Sequence, residues 1–302
     1  MLAGIIFGLG TGALWGFAFI APRVLSGVSA ELVALGRFGF YAIFSAGMLL
    51  VYWNQAKRHW VSSILLKALL LTILGNSLYY ILLIEAIRAS GVALASVIVG
   101  ALPVTIALIG AGSFNKIRKL LLPLFLITLG TIVVKWKEFG QALSGTPSPE
   151  YVLGVTLAVT AHVCWLFFAL FNTRFLKQRP DVDAKIWSSL LGIGSMLTLV
   201  LYLAVRAAFL SPMSLGVMWN THFLFWTAIV GVGSSWIALW FWNEASRRLS
   251  TPLLGQLIVS ETVFAIVYEC IYESRFVSKY ESLALLFLCI GVSLAIRAET
   301  AK

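Results

Sequence analysis

The sequence predicts an all-α integral membrane protein of ten transmembrane helices, arranged as two inverted five-helix repeats. Three observations carry that expectation. Hydrophobic residues make up 60% of the 302 positions and charged residues only 11%, where soluble domains hold about 45–50% and about 25%. Ten mostly apolar runs approach the roughly 20 residues that a helix needs to cross a bilayer. Finally, Glu85-Ala86-Ile87-Arg88 returns as Glu244-Ala245-Ser246-Arg247, and the offset of 159 (244 minus 85) also aligns Leu94 with Leu253, Ile98 with Leu257 and Val104 with Val263. An odd number of helices per copy turns the second copy over in the bilayer, the architecture of membrane proteins that open alternately to either face.

The expected spans, in order, are Ala3 to Ala21, Glu31 to Trp53, Ile64 to Glu85, Gly91 to Ser113, Leu120 to Val134, Tyr151 to Thr173, Ala184 to Arg206, Thr221 to Asn243, Pro252 to Ile271 and Tyr280 to Ile296. Residues 1–135 form the first repeat, 136–150 a connecting loop and 151–302 the second repeat. The first span carries Gly4, Gly8, Gly12 and Gly16, a stripe without side chains along one helix face. Lipid gives helices no hydrophobic reason to associate, so close backbone approach along such a stripe is a main source of attraction. Ordinary packing explains the stripe, and Gly12 and Gly16 are also candidates for a sliding, gating face. Pro103 stands mid-span in the fourth segment, where a missing donor bends a helix, and is the third gating candidate. Pro123 stands early in the fifth span, and Pro252 follows Ser250 and Thr251 as a first-turn residue.

Charge placement predicts the topology. With the amino terminus inside, fourteen basic residues fall in cytoplasmic segments and seven in outer ones, and Arg37 inside a span completes the 22. Both termini are therefore expected in the cytoplasm of a bacterial-type inner membrane. The first side-chain charge is Arg23, so no basic leader precedes the first apolar run, which is expected to be a retained helix. The net charge of +10 belongs to loops and not to a nucleic-acid surface. Cys164, Cys270 and Cys289 offer neither a disulfide framework nor a metal cluster. No cofactor or metal is expected. The expected partners are a small organic solute and the bilayer, and oligomeric state is not legible.

Polar groups inside spans nominate the site, because they are costly in lipid and face a cavity or a partner. Glu261 lies mid-span beside Gln256 and Ser260. Two readings fit it: a site for a substrate ammonium or a proton, and a structural acid held by Arg37 or hydroxyls. Arg37, about two turns into its span on the outer side, is expected to snorkel to the interface. Among 11 Trp, Trp53, Trp60, Trp136, Trp187 and Trp219 fall at span ends as an interfacial belt. Trp15, Tyr79, Tyr80, Trp165, Trp236 and Trp240 lie deeper; Trp236, Trp240 and Asn243 share one helix face, His162 shares a face with Trp165, and Asn76 precedes Tyr79 by one turn. Such stripes serve lipid contact or core packing, and equally wall a site for a medium-sized amphipathic solute. The candidate binding set is thus Trp15, Asn76, Tyr79, Tyr80, His162, Trp165, Trp236, Trp240, Gln256 and Glu261. The repeated Glu-Ala-x-Arg signature is read as a connection marker whose Glu and Arg pair locally.

The residues now resemble a known family. Leu14-Trp15-Gly16-Phe17, Arg37, Gly91 to Val104 ending in Leu102-Pro103-Val104, and Leu129-Gly130 are similar to the drug/metabolite transporter superfamily in its EamA branch. Glu261-Thr262-Val263 repeats the fourth-span element, with Thr262 where that family carries Pro and Leu102 where it carries an acid. Among its members the chain looks most like YddG-type amino-acid exporters, which implies termini inside and a central chamber between inverted halves. The expected function is a secondary transporter moving amino acids, aromatic ones or other amphipathic metabolites included, by alternating access and in the export direction. An intramembrane enzyme and a passive channel are the alternatives. The first would need converging catalytic groups, and His59, His162 and His222 are isolated, with no zinc-protease, serine-hydrolase or phosphate-loop motif. No enzyme activity is expected.

Overall fold

A computed structural model describes residues 1–136, 140, 148–209 and 216–300. The expected connector at 136–150 falls largely outside the described residues. Among those described, the chain is helical without strands. Eight helices are long and apolar enough to cross a membrane, and two shorter apolar helices, Leu2–Ala18 and Leu102–Ala111, accompany them. We number the elements α1 (Leu2–Ala18), α2 (Ala30–Val51), α3 (Ser62–Val99), α4 (Leu102–Ala111), α5 (Phe114–Val134), α6 (Pro149–Gln178), α7 (Ala184–Phe209), α8 (Thr221–Arg248), α9 (Thr251–Leu257), α10 (Ser260–Tyr272) and α11 (Lys279–Thr300).

Local chemistry sets several starts. Ser29, Ser148, Asn220 and Ser250 lie in extended backbone, and their side chains accept hydrogen bonds from Leu32, Tyr151, His222 and Leu253 N–H groups. Three features depart from straight spans. First, α3 merges two expected spans, with a break at Gly91, whose φ of 85° a side chain would resist. Second, the fourth span does not bend around Pro103; the helix ends at Val99, and Pro103 sits in the first turn of α4, where its missing N–H removes no helical bond. Third, the ninth span breaks at Ile258 and Val259, so Glu261 stands in the first turn of α10. The break at Ile258 and Val259 is packed among other helices, where irregular backbone is tolerated in a membrane protein, whereas Ala101 in the break before α4 is exposed.

The packing couples the two halves of the chain. α1 lies against α10 and against α8, α2 against α7 and α8, α3 against α6, α4 against α9, and α5 against α11. α5 and α11 run antiparallel, since Gly130 meets Leu288 and Ala284 while Gly291 meets Ile127 and Pro123. α3 and α6 are also antiparallel, with Gly75 against Phe168 and Gly154 against Ser90. The two ends of the chain share one face, where Gly4 meets Arg248 and Leu249 and Ser250 bonds Glu299 at 2.9 Å. The glycine stripe of α1 does what its spacing predicts: Gly8 lies on Leu257, Gly12 on Ser260 and Gly16 on Glu261, Phe264 and Ala265. Large apolar side chains such as Leu50, Phe125, Leu121 and Leu201 point outward and exposed, a surface that lipid would cover.

Candidate functional site

The two longest polar interruptions of the bundle coincide. In α3, residues Ile73–Ser77 widen into a π-helix, and in α8 residues Val230–Ile237 do the same. Such bulges leave backbone carbonyls less firmly bonded and occur frequently at functional sites. Asn76 lies in the first and Ser235 in the second, and they differ by the repeat offset, 159 (235 minus 76). Both line one central cavity, together with Trp15, Arg37, Tyr41, Trp165, Phe168, Ser234 and Leu239. Its volume is about 30 Å³, room for a water molecule and not for an organic solute. Arg37, Tyr79 and Glu261 nevertheless remain partly accessible.

Aromatic rings form one wall. Trp15 from α1, Trp165 from α6 and Trp242 from α8 stand in mutual contact, with ring centroids 5.5–5.8 Å apart. The tilted and edge-on arrangements are those aromatic rings prefer. Polar groups form the opposite side. Arg37 does not snorkel: its Nε donates to Ser235 Oγ at 2.7 Å and its Nη2 to the Ser234 carbonyl at 3.3 Å. The preceding turn of α2 packs so closely on α8, with Gly36 against Phe223 and Thr227, that the side chain is directed inward. Asn76 Nδ2 donates to Ser195 Oγ at 2.8 Å, and Tyr41 Oη donates to the Ser188 carbonyl at 2.8 Å. Ser234 Oγ is buried and has no hydrogen-bond partner.

Beyond the cavity, Glu261 is flanked electrostatically by Lys135 and, next, by Arg37. Lys135, at the end of α5, reaches the Ser96 carbonyl at 2.6 Å, beside the break between α3 and α4. Tyr79 lies within electrostatic reach of both Glu261 and Arg37. Tyr80 stacks edge-on against Phe38 at 5.8 Å.

The remaining sequence candidates lie elsewhere. His162 bonds Thr105 Oγ1 at 3.0 Å and the Ile98 carbonyl at 2.9 Å, tying α6 to both sides of the helix break. Trp236 is buried, with its Nε1 donating to Ser189 Oγ at 2.9 Å. Trp240 packs on Phe7 and Phe241 with the Lys185 ammonium 5.0 Å above its ring. Gln256 is fully buried in α9 and donates to the Pro252 carbonyl at 3.3 Å. Pro103 is buried in the first turn of α4.

Trp187 corrects the expected interfacial belt. It is fully buried, donating through Nε1 to Asn172 Oδ1 at 2.7 Å, whereas Trp53, Trp60, Trp136 and Trp219 are exposed. Asn172 in turn donates to Asn243 Oδ1 and Asn243 to Ser188 Oγ, each at 2.8 Å, so Asn243 belongs to a buried network and not to a solute wall. Sequence reading missed Arg37, Tyr41, Ser234 and Ser235 as lining residues. The repeat offset leads from Asn76 to Ser235, and the place of Arg37 inside a span is itself a signal for a cavity or a partner, which its nearness to the outer end of the span outweighed.

Comparison with known proteins supports the same architecture. No protein-family model matches the chain. It is 29% identical over 317 residues to the inner membrane protein YtfF of Escherichia coli (strain K12), covering 100% of this chain and 97% of that protein. A solved structure described only as the crystal structure of a protein superposes with a TM-score of 0.78 at 18% identity, over 100% of this chain and 99% of that one. The fold is shared. This helical bundle is thus an architecture already seen in a solved structure, and one similar sequence is an inner membrane protein.

Proposed function

We propose that the chain is a secondary transporter, of the EamA kind within the drug/metabolite transporter superfamily, that moves an amphipathic organic solute such as an amino acid across the inner membrane. The observation that carries this reading is the pair of π-bulges, one in each half of the chain, which deliver Asn76 and Ser235 to one cavity beside a tryptophan wall. A polar spot against an aromatic wall suits a solute that is polar at one end and apolar at the other. Both helix breaks also fall within one residue of the repeat offset: Gly100 and Ala101 precede α4 as Ile258 and Val259 precede α10 (258 minus 100 is 158). Discontinuous helices in corresponding places of two halves are the best sequence-level pointer to a carrier's binding region.

The packing supports ten spans in two inverted halves, 1–135 and 151–302. Exchanging the copies exchanges the contacts: α1 on α8 corresponds to α6 on α3, and α2 on α8 to α7 on α3. α5 meets its own counterpart α11 antiparallel, as inversion demands. The contact of α9 with α4 breaks the symmetry. On the face holding the chain ends, α9 packs on α4, with Gly255 against Ile106 and Gly110 against Thr251. No comparable packing joins Val92–Val99 to α10 at the other face. A carrier closed on one side and parted on the other has this asymmetry, and it becomes the reverse state when the contacts are exchanged. With both termini cytoplasmic, the closed face is the inner one; export is the direction that the resemblance to YddG-type exporters implies, since one state of a carrier does not set its direction. We read the chain as having no enzymatic activity, and an intramembrane enzyme would need convergent catalytic groups that the cavity lining does not supply.

Counterflow of labelled amino acids into liposomes carrying the purified protein tests the proposal. Saturable exchange is the expected outcome. Non-saturating conductance would make it a channel, and chemical conversion of the solute an enzyme.

A further inference from the structure

We propose that Arg37 and Ser234 form a carboxylate clamp in the central cavity, so that the solute must carry a carboxylate or a similar planar oxyanion. The inference deepens the transporter reading and rests on it for the word solute. A guanidinium inside a bilayer-spanning segment faces a cavity or a partner, and pairs with an acid or with backbone carbonyls. Among the described residues, the ion pairs within 4 Å do not include Arg37. Its protein partners are all neutral: Ser235 Oγ and the Ser234 carbonyl by hydrogen bonds, and the Phe38 ring, 5.8 Å from the guanidinium carbon. Glu261, the acid in the same region, makes no ion pair within 4 Å with Arg37 among the described residues. The cation therefore has its geometry fixed by α8, with Glu261 acting on it only from beyond ion-pair distance.

Ser234 Oγ provides a second, independent pointer. It is 1% exposed, has no hydrogen-bond partner and lines the same cavity. A buried hydroxyl left unpaired is destabilising unless something bonds to it. A carboxylate supplies what both groups lack: one oxygen takes a charge-assisted bond from the fork of the guanidinium, and the other takes the serine hydroxyl. Seating an organic solute requires the cavity to open beyond its present volume of about 30 Å³, and Trp15 and Trp165 then border the apolar remainder of the molecule.

The test compares 3-phenylpropionate with 3-phenylpropionamide, equal in shape and differing in the anion. Binding is read from tryptophan fluorescence of the purified full chain in detergent, for the wild type and for Arg37→Gln, Arg37→Lys and Ser234→Ala. The expected result is saturable binding of the carboxylate at least about tenfold tighter than the amide. Arg37→Gln abolishes that preference, Arg37→Lys recovers part of it because charge remains without the fork, and Ser234→Ala weakens it. Equal binding of the two probes, no saturable binding of the carboxylate, or a preference unchanged in Arg37→Gln overturns the clamp. Arg37→Lys and Ser234→Ala decide the matter should Arg37→Gln fail to fold. Carboxylate-selective binding without counterflow of any amino acid would instead defeat the transporter reading and leave the clamp standing.

Discussion

Single residues illustrate how burial changes the meaning of a charge. Outside the spans, Arg179 holds Asp181 through two hydrogen bonds of 2.7 and 2.8 Å, and these push the carboxyl down from 3.8 to about 2. A carboxyl depressed in the folded state stabilises fully above its unfolded value near 3.8, and that contribution is lost as pH falls toward 2. Replacing Arg179 with Ala returns the Asp181 titration, followed by carboxyl NMR, toward the ordinary aspartate range. Inside the bundle, Glu261 has cations on more than one side, and as a proton site it would couple transport to pH. Flux of Glu261→Gln across a pH step is expected to lose its pH dependence, and an unchanged profile removes proton coupling. The repeated Glu-Ala-x-Arg signature likewise acquires a physical role. Arg88 pairs with Glu85 at 2.6 Å and with the buried Glu31, while Arg247 bonds the Pro180 carbonyl at 2.7 Å and the Val182 carbonyl at 3.1 Å. Each arginine thus ties the end of its helix to the start of the second helix of its own half. The local pairing read from sequence holds for Glu85 and Arg88, but Glu244 pairs with Arg248 instead.

At the scale of elements, the contact of α1 with α10 is the one that glycine makes available. A Cβ at Gly16 would stand 2.7 Å from the Glu261 carbonyl oxygen and 2.9 Å from the Ala265 nitrogen, both backbone atoms that cannot turn aside. Gly16→Ala is therefore expected to push α1 away from the Glu261 turn, lowering stability by about 1–3 kcal/mol and depressing the melting temperature in detergent. Gly39, with nothing within 4 Å of a built Cβ, is the control, and equal losses at both positions would refute the close-packing account. The sequence spacing of Gly4, Gly8, Gly12 and Gly16 was enough to announce a gripped helix, because a period of four is a property of the helix itself. The interruptions were less legible. Pro103 marked a disturbance in the fourth span, yet whether proline bends a helix or begins one depends on where the preceding helix stops. The ninth span, read as continuous, gave no proline at its break, and Ile258 and Val259 are ordinary apolar residues.

The whole molecule poses the question of a second state. Exchange of the copies turns the packed pair Ile106 and Gly255 into Ser96 and Ala265, since 265 minus 106 and 255 minus 96 both equal 159. Cysteines at 106 and 255, in a background lacking Cys164, Cys270 and Cys289, are expected to cross-link the face that holds the chain ends. Cysteines at 96 and 265 are expected to cross-link in a separate population, and either bond should arrest counterflow until reduced. Complete failure of the second pair to react while transport continues would exclude exchange of the two packings. Hydrophobic content and run length alone determined that the chain is all-helical with membrane-length spans, because the bilayer constrains every spanning segment in the same way. They also nominated Trp15, Asn76 and Trp165, which meet at the cavity. Tertiary structure alone decided that Trp187 and Asn243 serve a buried network, that His162 braces a helix break, and that Arg37 turns inward to Ser235. A helical period reports which residues share a face. Which face meets lipid, a neighbour or a cavity is fixed only when helices distant in sequence close around one another.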